Sequence, residues 1–211
     1  MKLIVISSPN KSKSEIGYLI DFMKIGLDVF HVKKKNFSRK QMVEYLSMIP
    51  EEYRNRLVLH NHYSLASKFN IRGIHISSHK KHTSFWGNIR FGIARFFKPN
   101  LKLTKSFHSI QSLVNDKKQY DYVFLSPVFD RHEMQEFSAA YSEKQLRSVL
   151  YKTKHEVIAL GGVSYSRIEL ARRTGFEGIA IHSAIWKEKH DRTGMFDEIY
   201  RETKRVEKQV N

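Results

Sequence analysis

The sequence predicts a (β/α)8 barrel, and three observations carry that prediction. Eight short apolar runs recur at a steady interval along 211 residues. Helical patterns lie between most of them. The length sits near the lower limit of about 200 residues for such a barrel. Strands that alternate with helices imply parallel crossovers. The expectation is one barrel domain over residues 1–211.

The elements follow in order. The first strand is KLIVI (Lys2–Ile6). Ile16, Leu19, Ile20, Met23 and Leu27 then keep helical spacing, with Gly26 placed to cap the helix end. DVFHV (Asp28–Val32) is the second strand. Ser38-Arg39-Lys40-Gln41 has the form of a capping box and opens the next helix. RLVL (Arg56–Leu59), GIHI (Gly73–Ile76), LKLT (Leu101–Thr104) and DYVFL (Asp121–Leu125) are strands three to six. No clean helix can be placed over Lys80–Pro99. Ser142-Glu143-Lys144-Gln145 is a second capping box. EVIAL (Glu156–Leu160) is strand seven, and Ser164 opens a helix that runs to Thr174, with Gly175 at its end. GIAI (Gly178–Ile181) is strand eight, and an amphipathic helix starts at Met195. Most runs are rich in Val, Ile, Leu and Phe with little alternation, as strands buried on both faces require. An open doubly wound sheet is the alternative. It usually carries a glycine-rich turn after its first strand, whereas that turn here reads SSPNKSKS.

Composition narrows the function classes. The absence of cysteine excludes disulfides, thiolate metal sites and a cysteine nucleophile. The N-terminal apolar run is too short for a signal peptide, and no stretch has the apolar length to span a membrane. A soluble, cytoplasmic protein is expected. The 37 Lys+Arg against 21 Asp+Glu give a net charge of +16, a field that attracts polyanions. These include nucleic acid, acidic lipid and phosphorylated metabolites, but the basic residues are spread along the whole chain and no nucleic-acid-binding motif accompanies them, so a basic but inert surface is expected at least as much as a nucleic-acid footprint.

The strongest local signal is VIAL running into Gly161-Gly162. In a barrel this is the end of strand seven. His182-Ser183-Ala184-Ile185-Trp186 follows strand eight and fits one short helical turn. Many barrels bind phosphate with the loops after strands seven and eight. Backbone N–H groups of Gly162, Ser183 and Ala184 are the donors available to an anion there.

Six segments in order resemble the thiamine-phosphate synthase/TenI family over nearly the whole chain. VIALGGVS resembles that family's I-G-G-I motif, and GFEGIAIHSAI its G-A-D-G-V-A-V-x-S-A-I. YDYVFLSPVF resembles A-D-Y-V-G-x-G-P-I-F. IRGIHIS resembles A-D-G-V-H-L-G, KSFHSIQSL the S-x-H-S segment, and VFHVKKK the Q-L-R-E-K strand. The resemblance implies a thiamine-biosynthesis barrel that holds a thiazole phosphate on Gly161, Gly162, His182, Ser183 and Ala184. It also places His31, Lys33, Lys35, Asn61, His75, Ser106, Pro127 and Phe129 in the substrate pocket. For a synthase it adds a pyrimidine pyrophosphate and Mg²⁺. A homodimer is compatible with it.

The departures fall on the metal and pyrophosphate positions. LHNHYSLA stands where the family has I-N-D-D, so Asn61 and His62 replace acids. Lys80 falls near another expected aspartate. FDRHEMQEFSAAYS lacks the threonines and lysine of the family's T-x-T-K loop. Lys33 replaces an arginine, His31 a glutamine, and Lys35 matches a lysine. Residues 31, 33 and 35 share one strand face. These changes favour a TenI-like thiazole tautomerase. The alternatives are a true synthase and a non-catalytic, regulatory barrel. Pro127 stands where tautomerases of the family have a histidine, so proton transfer needs another base, His108 or His132, with Lys35 as a further catalytic candidate. Eleven histidines raise the question of a metal, with His60 and His62 read on one strand face, His75 beside them, and His79 and His82 one turn apart. Lys80, Lys81 and the net positive charge oppose a cation, so no metal site is expected.

Overall fold

The computed structural model describes residues 1–10, 12, 14–76, 100–130, 136–138 and 140–208. Eight parallel strands close into a barrel in chain order. They are β1 (Lys2–Ile6), β2 (Val29–Val32), β3 (Leu57–Leu59), β4 (Gly73–Ile76), β5 (Lys102–Phe107), β6 (Tyr122–Leu125), β7 (Val157–Leu160) and β8 (Gly178–Ile181). β8 pairs back onto β1, with Lys2 opposite Gly178 and Val5 opposite Ile181, and this seals the ring. The described helices are α1 (Ser14–Ile25), α2 (Arg39–Ser47), α3 (Glu51–Arg54), α4 (Leu65–Lys68), α5 (Ile110–Asn115), α6 (Glu143–Lys152), α7 (Ile168–Thr174), α8 (Ser183–Trp186) and α9 (Arg192–Lys208). Lys80–Pro99, His79, His82 and His132 lie outside the described residues. Among the described residues, no helix is long and apolar enough to cross a membrane.

Strand alternation divides the apolar residues into two cores. Leu3, Val5, Phe30, Val32, Leu59 and Ile179 point outward and pack with helix residues such as Phe22, Leu46 and Phe196. Ile4, Ile6, Val29, Val58, Tyr122, Phe124, Ile158 and Ala180 fill the barrel interior. The interior is therefore packed with side chains, and only its end is open to ligand. Toward the C-terminal ends of β2, β4 and β5 buried polar residues join it: His31, His75 and Thr104.

Both capping boxes form. The Ser38 and Ser142 hydroxyls accept the amides of Gln41 and Gln145, whose side chains accept the cap N–H groups in return. Gly26 and Gly175 end α1 and α7 at φ 135° and 107°. Five strands, β2, β3, β5, β6 and β7, begin one residue later than the sequence suggests, and three boundaries differ by more than that. β5 runs on to Phe107, because Lys105 turns outward to Asp116 while Ser106 turns inward to His75. Ser164 does not cap a helix; its hydroxyl meets that of Ser166 at 2.9 Å, and a 3₁₀ turn, Tyr165–Arg167, precedes α7. α9 begins at Arg192 rather than Met195, since the Asp191 carboxylate accepts the Gly194 amide at 2.7 Å and starts the helix early.

Candidate active site

The candidate residues gather at the C-terminal ends of the strands, the end on which barrel enzymes build their sites. β2 runs into Lys33-Lys34-Lys35, and alternation splits the triplet. Lys34 is buried on the outer side, where its ammonium pairs with the buried Glu15 carboxylate of α1. It also donates to the carbonyls of Ser8 at 2.6 Å and Asn10 at 2.8 Å. Glu15 in turn accepts the Ser8 amide at 2.6 Å. Burial pushes the Glu15 carboxyl up, and Lys34 and the Ser8 N–H oppose that shift. The pair ties the loop after β1 to the end of β2. Lys33 and Lys35 share the other face, Lys33 half-buried and Lys35 exposed. Burial lowers the Lys33 ammonium pKa, and the charge of Lys35 lowers it further.

Beneath Lys33 lies a floor of imidazoles. His31 of β2 is fully buried, with Nδ1 2.9 Å from His60 Nε2 and Nε2 2.6 Å from the Tyr122 hydroxyl. His75 of β4 contacts Thr104 Oγ1 at 2.7 Å and Ser106 Oγ at 2.8 Å. The His60 and His75 rings stack with centroids 4.1 Å apart. One ring nitrogen from each of the three histidines lies within 4.8 Å of the others. Burial is the main cause that keeps all three neutral, aided by neighbouring positive charge. It holds His31 and His60 well below the ordinary imidazole range and His75 at about 3. Lys33 acts on all three and on His182, whose pKa is also lowered chiefly by burial. Its ammonium is thus within electrostatic reach of β2, β3, β4 and β8. Three clustered imidazoles are a nitrogen donor set, which suits zinc or nickel better than Mg²⁺. Here the nitrogens of His31 and His75 already contact one another's neighbours and nearby hydroxyls, and a lysine charge stands over them.

On the opposite side, β7 and β8 lie in register, with Leu160 opposite Ala180. Their loops are therefore adjacent. Gly161 and Gly162 take φ 89° and 68°. A side chain at Gly162 would come within 2.5 Å of the Phe129 carbonyl oxygen, and one at Gly161 within 2.9 Å of Pro127 Cα. The bare backbone is thus required by its own conformation and by the close loop after β6, whatever it binds. Ser183 begins α8, so the first N–H groups of this turn have no acceptor within the helix. Trp186 donates to the Ile6 carbonyl at 2.6 Å and fixes α8 against β1.

The remaining candidates are spread between these sides. The Asn61 amide donates to the Lys34 carbonyl at 2.8 Å, while its buried Oδ1 has no hydrogen-bond partner. His62 does not share a strand face with His60. β3 ends at Leu59, His62 has a left-handed φ of 52°, and its Nε2 lies 2.7 Å from the Phe37 carbonyl. His108 is exposed beyond β5, with Nδ1 2.9 Å from the Ser126 carbonyl. Phe129 is buried and stacks on Phe137, and Pro127 is exposed. Sequence reasoning missed Glu15, Lys34 and Tyr122. Alternation beyond β2 marks Lys34 as the odd lysine, but nothing local marks a partner 19 positions away. A surface cleft lined by Lys117, Tyr120, Lys152 and His155 lies at the N-terminal ends of β6 and β7 and holds none of the candidates.

Comparison with known proteins gives the family and the fold. The family model for thiamine monophosphate synthase matches residues 3–185. The thiamine-phosphate synthase of Pyrococcus furiosus is 23% identical over 189 residues, covering 88% of this chain and 86% of that one. That of Photorhabdus laumondii is 23% identical over 179 residues, covering 82% and 80%. A thiamine phosphate pyrophosphorylase structure from Bacteroides thetaiotaomicron superposes with a TM-score of 0.80 at 24% identity, covering 97% of this chain and 98% of that one. The Pyrococcus furiosus pyrophosphorylase structure gives 0.76 at 20% identity, covering 97% and 96%. The chain belongs to the thiamine monophosphate synthase family, an enzyme family of thiamine biosynthesis.

Proposed function

We propose that the protein couples a thiazole phosphate to a pyrimidine pyrophosphate, as a thiamine-phosphate synthase. The observation that carries this reading is a mouth with two anion-seeking sides facing one neutral floor. The loops after β7 and β8 offer backbone N–H groups, and the end of β2 offers Lys33 and Lys35. In this reading the thiazole phosphate takes one side and the pyrophosphate the other. The names of the relatives support coupling as well, against the tautomerase that the altered loops favour. In coupling, the pyrimidine methylene carbon loses pyrophosphate, which leaves with the bonding pair, and the thiazole nitrogen forms the new C–N bond. Gly161, Gly162, His182, Ser183 and Ala184 hold the thiazole phosphate, while Asn61, His75, Ser106 and Phe129 shape the pocket between. A soluble, cytoplasmic enzyme with small phosphorylated substrates fits this reading.

The test is to incubate the protein with both substrates and count thiamine phosphate formed per protein. Many turnovers are expected. Absence of product, with thiazole phosphate still bound, would leave the second reading, thiazole tautomerisation. One observation favours that reading: His108 Nδ1 lies 2.9 Å from the Ser126 carbonyl, which holds an imidazole just beyond β5 against the end of β6.

A further inference from the structure

Mg²⁺, which the family resemblance implies, demands hard oxygen ligands and is ordinarily anchored by one or two carboxylates. The side of the mouth where they are expected has none. No aspartate or glutamate occurs anywhere from Asn55 to Asn115. That stretch supplies β3, β4 and β5 and the loop that follows each. After β2 the next carboxylate is Glu44, in α2, and before it come Lys33, Lys34 and Lys35. Glu15, after β1, is buried and committed to Lys34. Glu188, after β8, accepts the backbone amides of Lys189 and His190. Elsewhere among the described residues, Asp130 and Glu136 follow β6 and Asp191 follows β8, where its carboxylate accepts the Gly194 amide. The residues present do not fit Mg²⁺ at the β3 and β4 positions.

The cations at the same place are built differently from others in the barrel. Lys2, Lys102 and Lys105 lie on strands, and each pairs with a carboxylate: Glu156, Asp121 and Asp116. Lys34 pairs with Glu15. Among the described residues, Lys33 and Lys35 have no carboxylate partner, although Lys33 is half-buried and its charge acts on His31, His60, His75 and His182. A half-buried ammonium without a counter-charge is costly. An anionic ligand placed between Lys33, Lys35 and the imidazoles supplies the missing charge.

We infer that this mouth neutralises the leaving pyrophosphate with its own cations, Lys33 and Lys35 with His60 beside them, and without a divalent metal. The inference rests on the coupling reading and names how that site is charged. Lysine meets the diphosphate as a mobile point charge rather than as a fork. The leaving group departs with the C–O bonding pair, and the ammonium groups hold it without a proton having to move.

The test is equilibrium binding of inorganic pyrophosphate to the full chain, in EDTA and in excess Mg²⁺. Binding in EDTA is expected, with an affinity within about threefold of that in Mg²⁺, since a counter-charge already in place adds no metal term. Lys33→Met is expected to weaken it about tenfold or more, the scale of one charge-assisted hydrogen bond. Lys33→Arg, which keeps the charge, is expected to retain most of it and shows that the Met variant has lost charge rather than fold. Binding that appears only with Mg²⁺, or an undiminished affinity in Lys33→Met, overturns the inference. A coupling assay in the same two buffers separates the two claims. Pyrophosphate bound in EDTA without coupling in either buffer sinks the coupling reading alone. Coupling and pyrophosphate binding that both require Mg²⁺ sink the inference alone.

Discussion

The loops after β7 and β8 and the loops after β2, β3 and β4 face the same mouth, but they are made of different material. On the β7–β8 side the groups proposed to bind phosphate belong to the backbone. Two glycines at positive φ and the first turn of α8 present N–H groups, and the shape is fixed by Pro127 and Phe129 behind them. On the β2–β4 side the groups are side chains. Three neutral imidazoles form a floor, and two lysines stand above it. The difference explains which parts of the family pattern this chain resembles. A backbone site tolerates little, because any residue with a Cβ must adopt a costly φ and displace a neighbouring loop. A side-chain site is free to exchange acid for base, provided the charges that meet the ligand still balance.

The lysine triplet after β2 holds the largest expected effect. Lys33 is half-buried and Lys35 exposed, while Lys34 turns to the outer side and a buried carboxylate. Lys34→Met strands the Glu15 charge in the core. Removing one partner of a buried pair costs roughly 3–5 kcal/mol, which approaches the whole stability of many domains. Urea unfolding should show the loss, and Lys34→Met combined with Glu15→Gln should recover much of it. A Lys34→Met protein as stable as the parent would mean that the triplet is not divided in this way.

Gly162→Asp attacks the other side. The strain of φ 68° with a side chain costs roughly 1–3 kcal/mol, and the new carboxylate repels a phosphate. Thiazole phosphate affinity should fall tenfold or more, the scale of a lost charge-assisted contact, while pyrophosphate binding near Lys33 should change far less. If both ligands weaken equally, the mouth does not have two separate sides. Unchanged thiazole phosphate affinity would remove the phosphate site from these loops.

The two sides were also unequally legible in the sequence. β1, β4 and β8 could be placed to the residue, because uniform apolar runs end in turn-forming residues. The glycine turn after β7 was legible for a related reason: an apolar strand that ends on two glycines marks a place where a Cβ does not fit, as the positive φ values and the close loop after β6 show. β5 was cut short at Thr104, because Lys105 and Ser106 are polar and only the fold shows that each has a partner on its own face. The imidazole floor was harder still. His31, His60 and His75 sit on three strands, and their meeting depends on register, with His31 opposite Val58 and Gly73 opposite the same residue. Alternation supplied the face of His31 but misassigned His62, whose left-handed turn no apolar pattern records. The long run without acids was plain in the sequence, yet its meaning depends on knowing that it builds three consecutive loops of one mouth.

The smallest effect concerns the floor itself and follows from proton linkage. An unfolded histidine takes up its proton near pH 6.5. In the folded barrel His75 is held to about 3, and His31 and His60 are held well below their ordinary range. Between those limits the unfolded chain carries protons that the folded chain excludes. Stability therefore rises with pH in this window and falls on acidification below about pH 6.5. Each such histidine contributes about 1.4 kcal/mol of loss per pH unit once the pH is well under 6.5. Urea midpoints measured at about pH 7.5 and about pH 5.5 should differ accordingly. His75→Gln, which can still reach Thr104 and Ser106, should reduce that difference by roughly 1 kcal/mol. Gly162→Asp leaves the three imidazoles of the floor in place, so it should leave most of the acid slope intact. An identical slope in His75→Gln would mean that His75 is protonated in the folded chain. The floor beneath Lys33 would then be charged, and the mouth would lose the contrast between neutral imidazole and cationic lysine on which the β2–β4 side depends.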